Sequence, residues 1–128
     1  MRESVFVEIL RNRFQAIANE MASIILRTGY TVFVKETADY GAGLVSPEGE
    51  LFAAPVNYGV SVMIGMPVEA VIRQMDWEDG DVVIVNDPYS TEGLITHLPD
   101  IYLIAPIFAN GELVCFAMDF VHSSDIGG

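Results

Sequence analysis

The chain has 128 residues, 52% of them hydrophobic, and carries 18 acidic against 6 basic side chains for a net charge of −12. All six bases lie at or before Arg73, and the ten acids between Gln74 and Gly128 have no Lys or Arg among them. That distribution excludes nucleic acid as a partner, because neutralising phosphates takes clustered cations. No apolar run reaches the roughly 18 residues of a membrane span. The opening residues lack a secretory layout, and one cysteine, Cys115, excludes a disulfide within the chain. The expectation is a single cytoplasmic domain over residues 1–128.

Val5 to about Thr28 reads as a long amphipathic helix, with Phe6, Ile9, Leu10, Phe14, Ile17, Met21, Ile24 and Ile25 at three- and four-residue steps. Ser4 suits its N-cap and Gly29 its C-terminal stop. Thr31–Lys35 has strand character. Gly41–Val45 and Glu50–Ala54 are strands about a Ser46-Pro47-Glu48-Gly49 turn. Met63 and Met66 read as packing residues, and Met66–Met75 as a second helix with Pro67 in its first turn. The run Val82-Val83-Ile84-Val85 predicts a buried strand, ended by Asp87-Pro88. At Asn86-Asp87 an Asx-turn and a wall of the site remain alternatives. Ser90–Thr96 is a polar loop.

Ile101–Phe108 and Glu112–Val121 form a hairpin about Asn110-Gly111, a pair suited to the positive φ that a type I′ turn requires. The fold class is α+β, with the long helix packed on an antiparallel or mixed sheet. The helix length and the apolar run Val114–Val121 lead us to expect a fold incomplete without further chain or a partner. The Gly127-Gly128 end, directly after a ligand cluster, reads as that of a fragment.

The two histidines of the chain fall at the open ends of this hairpin, in His97-Leu98-Pro99-Asp100 and His122-Ser123-Ser124-Asp125. Counting from the turn places His122 opposite Pro99 and His97 two residues further on the same face, roughly 7–8 Å away. Asp100 falls on the other face under strict alternation, unless Pro99 frees it to turn inward. Two imidazoles and two carboxylates meeting at one spot suit a metal. The competing reading has both histidines hydrogen-bonded in loops as structural residues of a non-catalytic α+β interaction module. Asp39 is either a third carboxylate brought in from afar or a turn former. Glu36 can pair with Lys35 or Arg27, or sit near the site, and the sequence leaves these open. The sequence has neither a Walker-type phosphate loop nor a G-x-S-x-G elbow.

The string Gly80-Asp81-Val82-Val83-Ile84-Val85-Asn86-Asp87-Pro88-Tyr89, then Thr96-His97-Leu98-Pro99-Asp100-Ile101, then His122-Ser123-Ser124-Asp125-Ile126-Gly127-Gly128 resembles the B-type subunit of the hydantoinase/5-oxoprolinase family. Glu20-Met21 and Lys35-Glu36-Thr37-Ala38-Asp39-Tyr40 are similar too. The acetone and acetophenone carboxylases share that superfamily. The chain corresponds to the N-terminal part of a subunit several-fold longer.

The resemblance implies a divalent metal, zinc or manganese, on His97, Asp100 and His122, with Asp39 a further ligand in some members. It implies an A-type, actin-like ATPase partner that uses ATP to phosphorylate the carbonyl oxygen of a cyclic amide or a ketone. Water then opens the ring, or an enol phosphate meets carbon dioxide. Asp125 would orient a histidine or act as base, and Asp100 would share the catalytic centre. One departure stands out. The family often has a short Gly-Gly-Thr-His turn where this chain has Ser90-Thr91-Glu92-Gly93-Leu94-Ile95-Thr96, which bears on the substrate.

Overall fold

The computed structural model describes residues 3–60 and 65–127. It is an α+β fold with a five-stranded, wholly antiparallel sheet. In chain order come α1 (Glu3–Thr28), α2 (Val32–Lys35), β1 (Tyr40–Val45), β2 (Leu51–Ala53), α3 (Glu69–Ile72), β3 (Val83–Val85), β4 (Asp100–Ala109) and β5 (Glu112–His122). The strands lie side by side as β2-β1-β5-β4-β3. No helix among the described residues is long and apolar enough to cross a membrane.

The two faces of the sheet bury different layers. On one face, Val45, Tyr102, Ile104, Phe116, Met118 and Phe120 form the main core with Val68, Val71, Leu94 and Ile95. Gly41 sits here too, since a Cβ on it would stand 2.5 Å from Phe120 Cε1. On the other face, α1 lies over β1 and β2. Phe14, Ala18, Met21, Ala22 and Ile25 pack against Tyr40, Ala42, Leu44 and Ala53. Small residues at 18 and 22 let helix and sheet approach closely.

At 1.5 Å per residue α1 is about 39 Å long, against about 20 Å for the six-residue β1, so one end overhangs the sheet. Val5, Phe6, Val7 and Ile9 are exposed there, and Ile17 and Ile24 of the expected apolar stripe are also exposed. Over β3 and β4 the same face leaves Ile84, Leu103 and Ile107 exposed. Asp119 lies on it between Ala42 and Leu103, and burial pushes its carboxyl up to about 6.

Several elements differ from the sequence pattern, each for a local reason. Ser4 lies inside α1, which begins at Glu3. Gly29 closes the helix by donating its N–H to Ile25 O at 2.8 Å. Lys35 donates from Nζ to the α1 carbonyls Leu26 O and Arg27 O, a cation at a helix C-terminus rather than a partner for Glu36. Thr31–Lys35 is no strand. Thr31 Oγ1 accepts from Val34 N at 3.3 Å, and the segment turns once as α2 around a buried Val34.

The helix expected over Met66–Met75 shrinks to α3. Val68 offers no capping side chain. At the other end, Gln74 Nε2 and Trp77 Nε1 take the carbonyls of Ala70 and Ile72. Met66 packs on the core, while Met63 lies outside the described residues. β3 is an edge strand with Ile84 68% exposed, not a buried one. The loop expected to be polar over Ser90–Thr96 sends Thr91, Leu94 and Ile95 into the core. Cys115 is buried and free, its thiol pushed up by desolvation.

Candidate metal centre

The hairpin turns at Asn110 and Gly111, whose φ values are +54° and +81°. Ala109 faces Glu112 and Phe108 faces Leu113, as the turn dictates. Ile107 then faces Cys115, which leaves Val114 as an extra residue in β5. This β-bulge moves the register by one for the rest of the hairpin. His122 therefore stands opposite Asp100, not Pro99. Directly paired residues share a face, so Asp100 joins the histidine side instead of pointing away. Its side chain is buried with the imidazole of His122 over it.

Three donor atoms converge at this end of the sheet. His122 Nδ1 is 2.9 Å from Asp100 Oδ1. His97 Nε2 is 3.3 Å from the same oxygen and 3.4 Å from His122 Nδ1. Donors bound at about 2.1 Å to one ion lie roughly 3.0–3.4 Å apart in octahedral or tetrahedral arrangements. The triangle fits those edges without rearrangement. Two imidazoles and a carboxylate are also a donor set suited to zinc, manganese or iron. His97, Asp100 and His122 thus form a group able to hold an ion.

The surroundings hold these side chains in place. Thr96 Oγ1 lies 2.9 Å from His97 Nδ1. A hydroxyl accepting from Nδ1–H leaves Nε2 free for the triangle. Asn86, at the end of β3, donates its side-chain N–H to Leu98 O at 3.1 Å and ties down the loop carrying His97. Asp87 accepts from Tyr89 N and Ser90 N, forming the Asx-turn, and a hydrogen bond from the Ser90 side chain together with these two amides holds its carboxyl below the usual range. Ser123 N donates to Pro99 O at 2.8 Å, closing the open end of the hairpin.

Asp39 is brought here across 83 residues of sequence. Its backbone O accepts from His122 N at 3.0 Å, and its Oδ2 lies 3.5 Å from His122 Nδ1. It touches His122 and stands outside the three-residue group. Asp125 is exposed, and its Oδ1 accepts from Gly127 N at 2.9 Å. It lines a cavity of about 290 Å³ beside the centre, with Asn86, Leu98, Pro99, Ser123 and Ser124. Sequence reasoning missed two contacts. One is the Thr96 hydroxyl, which its position next to His97 could have suggested. The other is Phe33, whose ring centroid lies 4.5 Å from that of His122 and which no local signal marks.

Comparison with known proteins gives the family and the fold. The chain is 33% identical over 132 residues to 5-oxoprolinase of Dictyostelium discoideum, covering 98% of this chain and 10% of that protein. Among solved structures, acetone carboxylase in its nucleotide-free form matches with a TM-score of 0.79 at 20% identity, over 94% of this chain and 16% of that one. The ATP-dependent caprolactamase of Pseudomonas jessenii matches with a TM-score of 0.71 at 21% identity, over 96% and 21%. At these identities the two structures speak for the fold. The chain therefore spans about a tenth of that curated relative's length. The hydantoinase B/oxoprolinase family model matches residues 3–128, and the chain belongs to that family.

Proposed function

We propose that this chain supplies the metal-ligating part of the B-type subunit of an ATP-dependent cyclic-amide hydrolase. The observation that carries the reading is the His97–Asp100–His122 triangle, closed by the bulged hairpin and set beside a cavity. Identity with a 5-oxoprolinase favours amide opening over ketone carboxylation. An A-type, actin-like ATPase subunit that phosphorylates the substrate's carbonyl oxygen is part of the proposal, as is the remainder of the B-type polypeptide.

A bound zinc or manganese ion would supply Lewis-acid polarisation and a lowered pKa for water. The side chains do the rest. His97 and His122 would hold the ion through imidazole nitrogens, and Asp100 would offset its charge. Thr96 fixes the His97 tautomer. Asp39 stands at 3.5 Å from His122 as a second carboxylate able to join. Asp125, on the cavity wall, would take a proton from water entering there. The cavity, walled by the chain neighbours of His97, Asp100 and His122 and by the polar Asn86 and Ser124, would receive the ring.

The test is an assay of the assembled complex with ATP and a hydantoin, a lactam or 5-oxoproline. A ketone with bicarbonate serves as the competing substrate. ATP-coupled ring opening that falls with His97→Ala supports the proposal. Carboxylation of the ketone in place of ring opening would replace it with the acetone- or acetophenone-carboxylase reading. Full activity in His97→Ala would return the histidines to structural residues.

A further inference from the structure

The one-turn helix α2 has no place in the chemistry described so far, yet it meets the centre from the side opposite β4. Its position follows from three local constraints. Gly29 ends α1, and a Cβ there would stand 2.7 Å from Val34 Cγ1, so the bare glycine lets Val34 dock. Val34 is 3% exposed and packs with Ala22, Tyr40 and Ala42. Thr31 caps the turn. With Val34 anchored inward, its neighbour Phe33 is delivered to the end of β5.

Phe33 grips His122 of the centre and the adjoining Asp39 by two different groups. Its ring lies against the His122 imidazole, with centroids 4.5 Å apart and planes inclined at 60°. Its carbonyl accepts from Asp39 N at 2.8 Å and from Thr37 Oγ1 at 2.8 Å. Those bonds shape the tight loop in which Ala38 takes a φ of +55°. Asp39 in turn accepts the His122 N–H. His122 is the last residue of β5, and among the described residues its imidazole is hydrogen-bonded only to His97 and Asp100, with Asp39 Oδ2 at 3.5 Å. A ring on such a residue has several rotamers open to it unless packing selects one.

We propose that Phe33 is a positioning residue: its ring selects the His122 rotamer that turns Nδ1 toward His97 and Asp100, and its carbonyl sets the loop that brings Asp39 alongside. This rests on the metal-centre reading above. Contacts that orient ligands are worth about 10–100-fold in metal affinity. A ring replaced by an aliphatic side chain keeps the packed volume but loses the flat wedge.

The test is titration of the chelated full chain with Mn²⁺, followed by calorimetry and by electron paramagnetic resonance of the bound ion. Wild type, Phe33→Leu, Phe33→Met and Phe33→Tyr are compared. The expected result is Mn²⁺ binding about 10-fold weaker in Phe33→Leu and in Phe33→Met, with an altered resonance line shape. Phe33→Tyr, which keeps the ring, should restore both. The line shape reports ligand geometry, which a merely structural role of Phe33 would leave unchanged. Should Phe33→Leu fail to fold, Phe33→Met gives the same reading. Wild-type affinity and line shape in the ringless variants overturn the role of Phe33 and leave the metal centre standing. A wild-type chain that binds no Mn²⁺ or Zn²⁺ overturns both.

Discussion

Replacing Asp100 by Asn separates the charge of the centre from its packing. The amide keeps the shape of the side chain and an oxygen acceptor 2.9 Å from His122 Nδ1. It removes the one anion of the three-residue group. Asp100 is only 8% exposed, so water cannot replace the lost ligand without rearrangement. A loss at the upper end of the range for disturbed metal sites, about 100-fold in affinity, is expected. The consequence for stability follows from mass action. With metal at 100 times the wild-type Kd, binding stabilises the native chain by about 2.7 kcal/mol, and at the weakened Kd by only about 0.4 kcal/mol. For a domain of this size about 2.3 kcal/mol corresponds to roughly 8 °C in Tm. Thermal melts with and without Zn²⁺, after chelation, read this directly. Under chelation the two proteins should melt within a degree or two of each other, while the metal-induced rise should largely vanish in Asp100→Asn. An equal rise in both would refute the reasoning, because the carboxylate would then contribute nothing to holding the ion.

Other predictions concern the frame around the centre. Burial raises the Asp119 carboxyl to about 6, above its unfolded value near 4. Native Asp119 therefore holds a proton that the unfolded chain has released, and its contribution to stability falls as pH rises from about 4 to 6. Asp119→Leu should remove that slope and stabilise the chain at pH 7.5 by on the order of 1 kcal/mol, discounted for partial exposure. Urea unfolding of both proteins at pH 4.5 and 7.5 checks it, and a parallel pH dependence would contradict it. Gly41→Ala places a Cβ 2.5 Å from the ring of Phe120, which is 1% exposed and stacked on Tyr102. With no room to yield, the change should cost about 1–3 kcal/mol, seen as a lower urea midpoint.

The sequence made the centre legible because its strongest local signals lie there. Asn110-Gly111 announces a turn through backbone chemistry that few other residues tolerate, and the turn alone brings residues 97 and 122 together. The register error had a definite source. Leu113–Met118 is apolar throughout, so no alternation marks Val114 as the extra residue, and the bulge that brings Asp100 into line is silent. Thr31-Val32-Phe33-Val34 reads as strand from its β-branched residues. What decides it is tertiary: the close approach of Val34 to Gly29 and its burial beneath Tyr40. Leu94 and Ile95 were hidden in a loop of polar composition, since a run of seven residues has too few apolar positions to show a period. For Ile84 the residue types point to burial, but they do not say whether a covering layer lies within residues 1–128. Asp39 was recognised as a candidate, and the ladder bond from His122 N to its carbonyl explains how a distant residue arrives.

The central claim is that His97, Asp100 and His122 together hold a divalent cation. Elemental analysis of the chain, purified with and without added Zn²⁺ or Mn²⁺ and dialysed, tests it most directly beside the double variant His97→Ala, His122→Ala. The account predicts a single tightly held ion per wild-type chain and none in the folded double variant. Equal metal content in the two, or a wild-type chain that retains no ion at all, would contradict it.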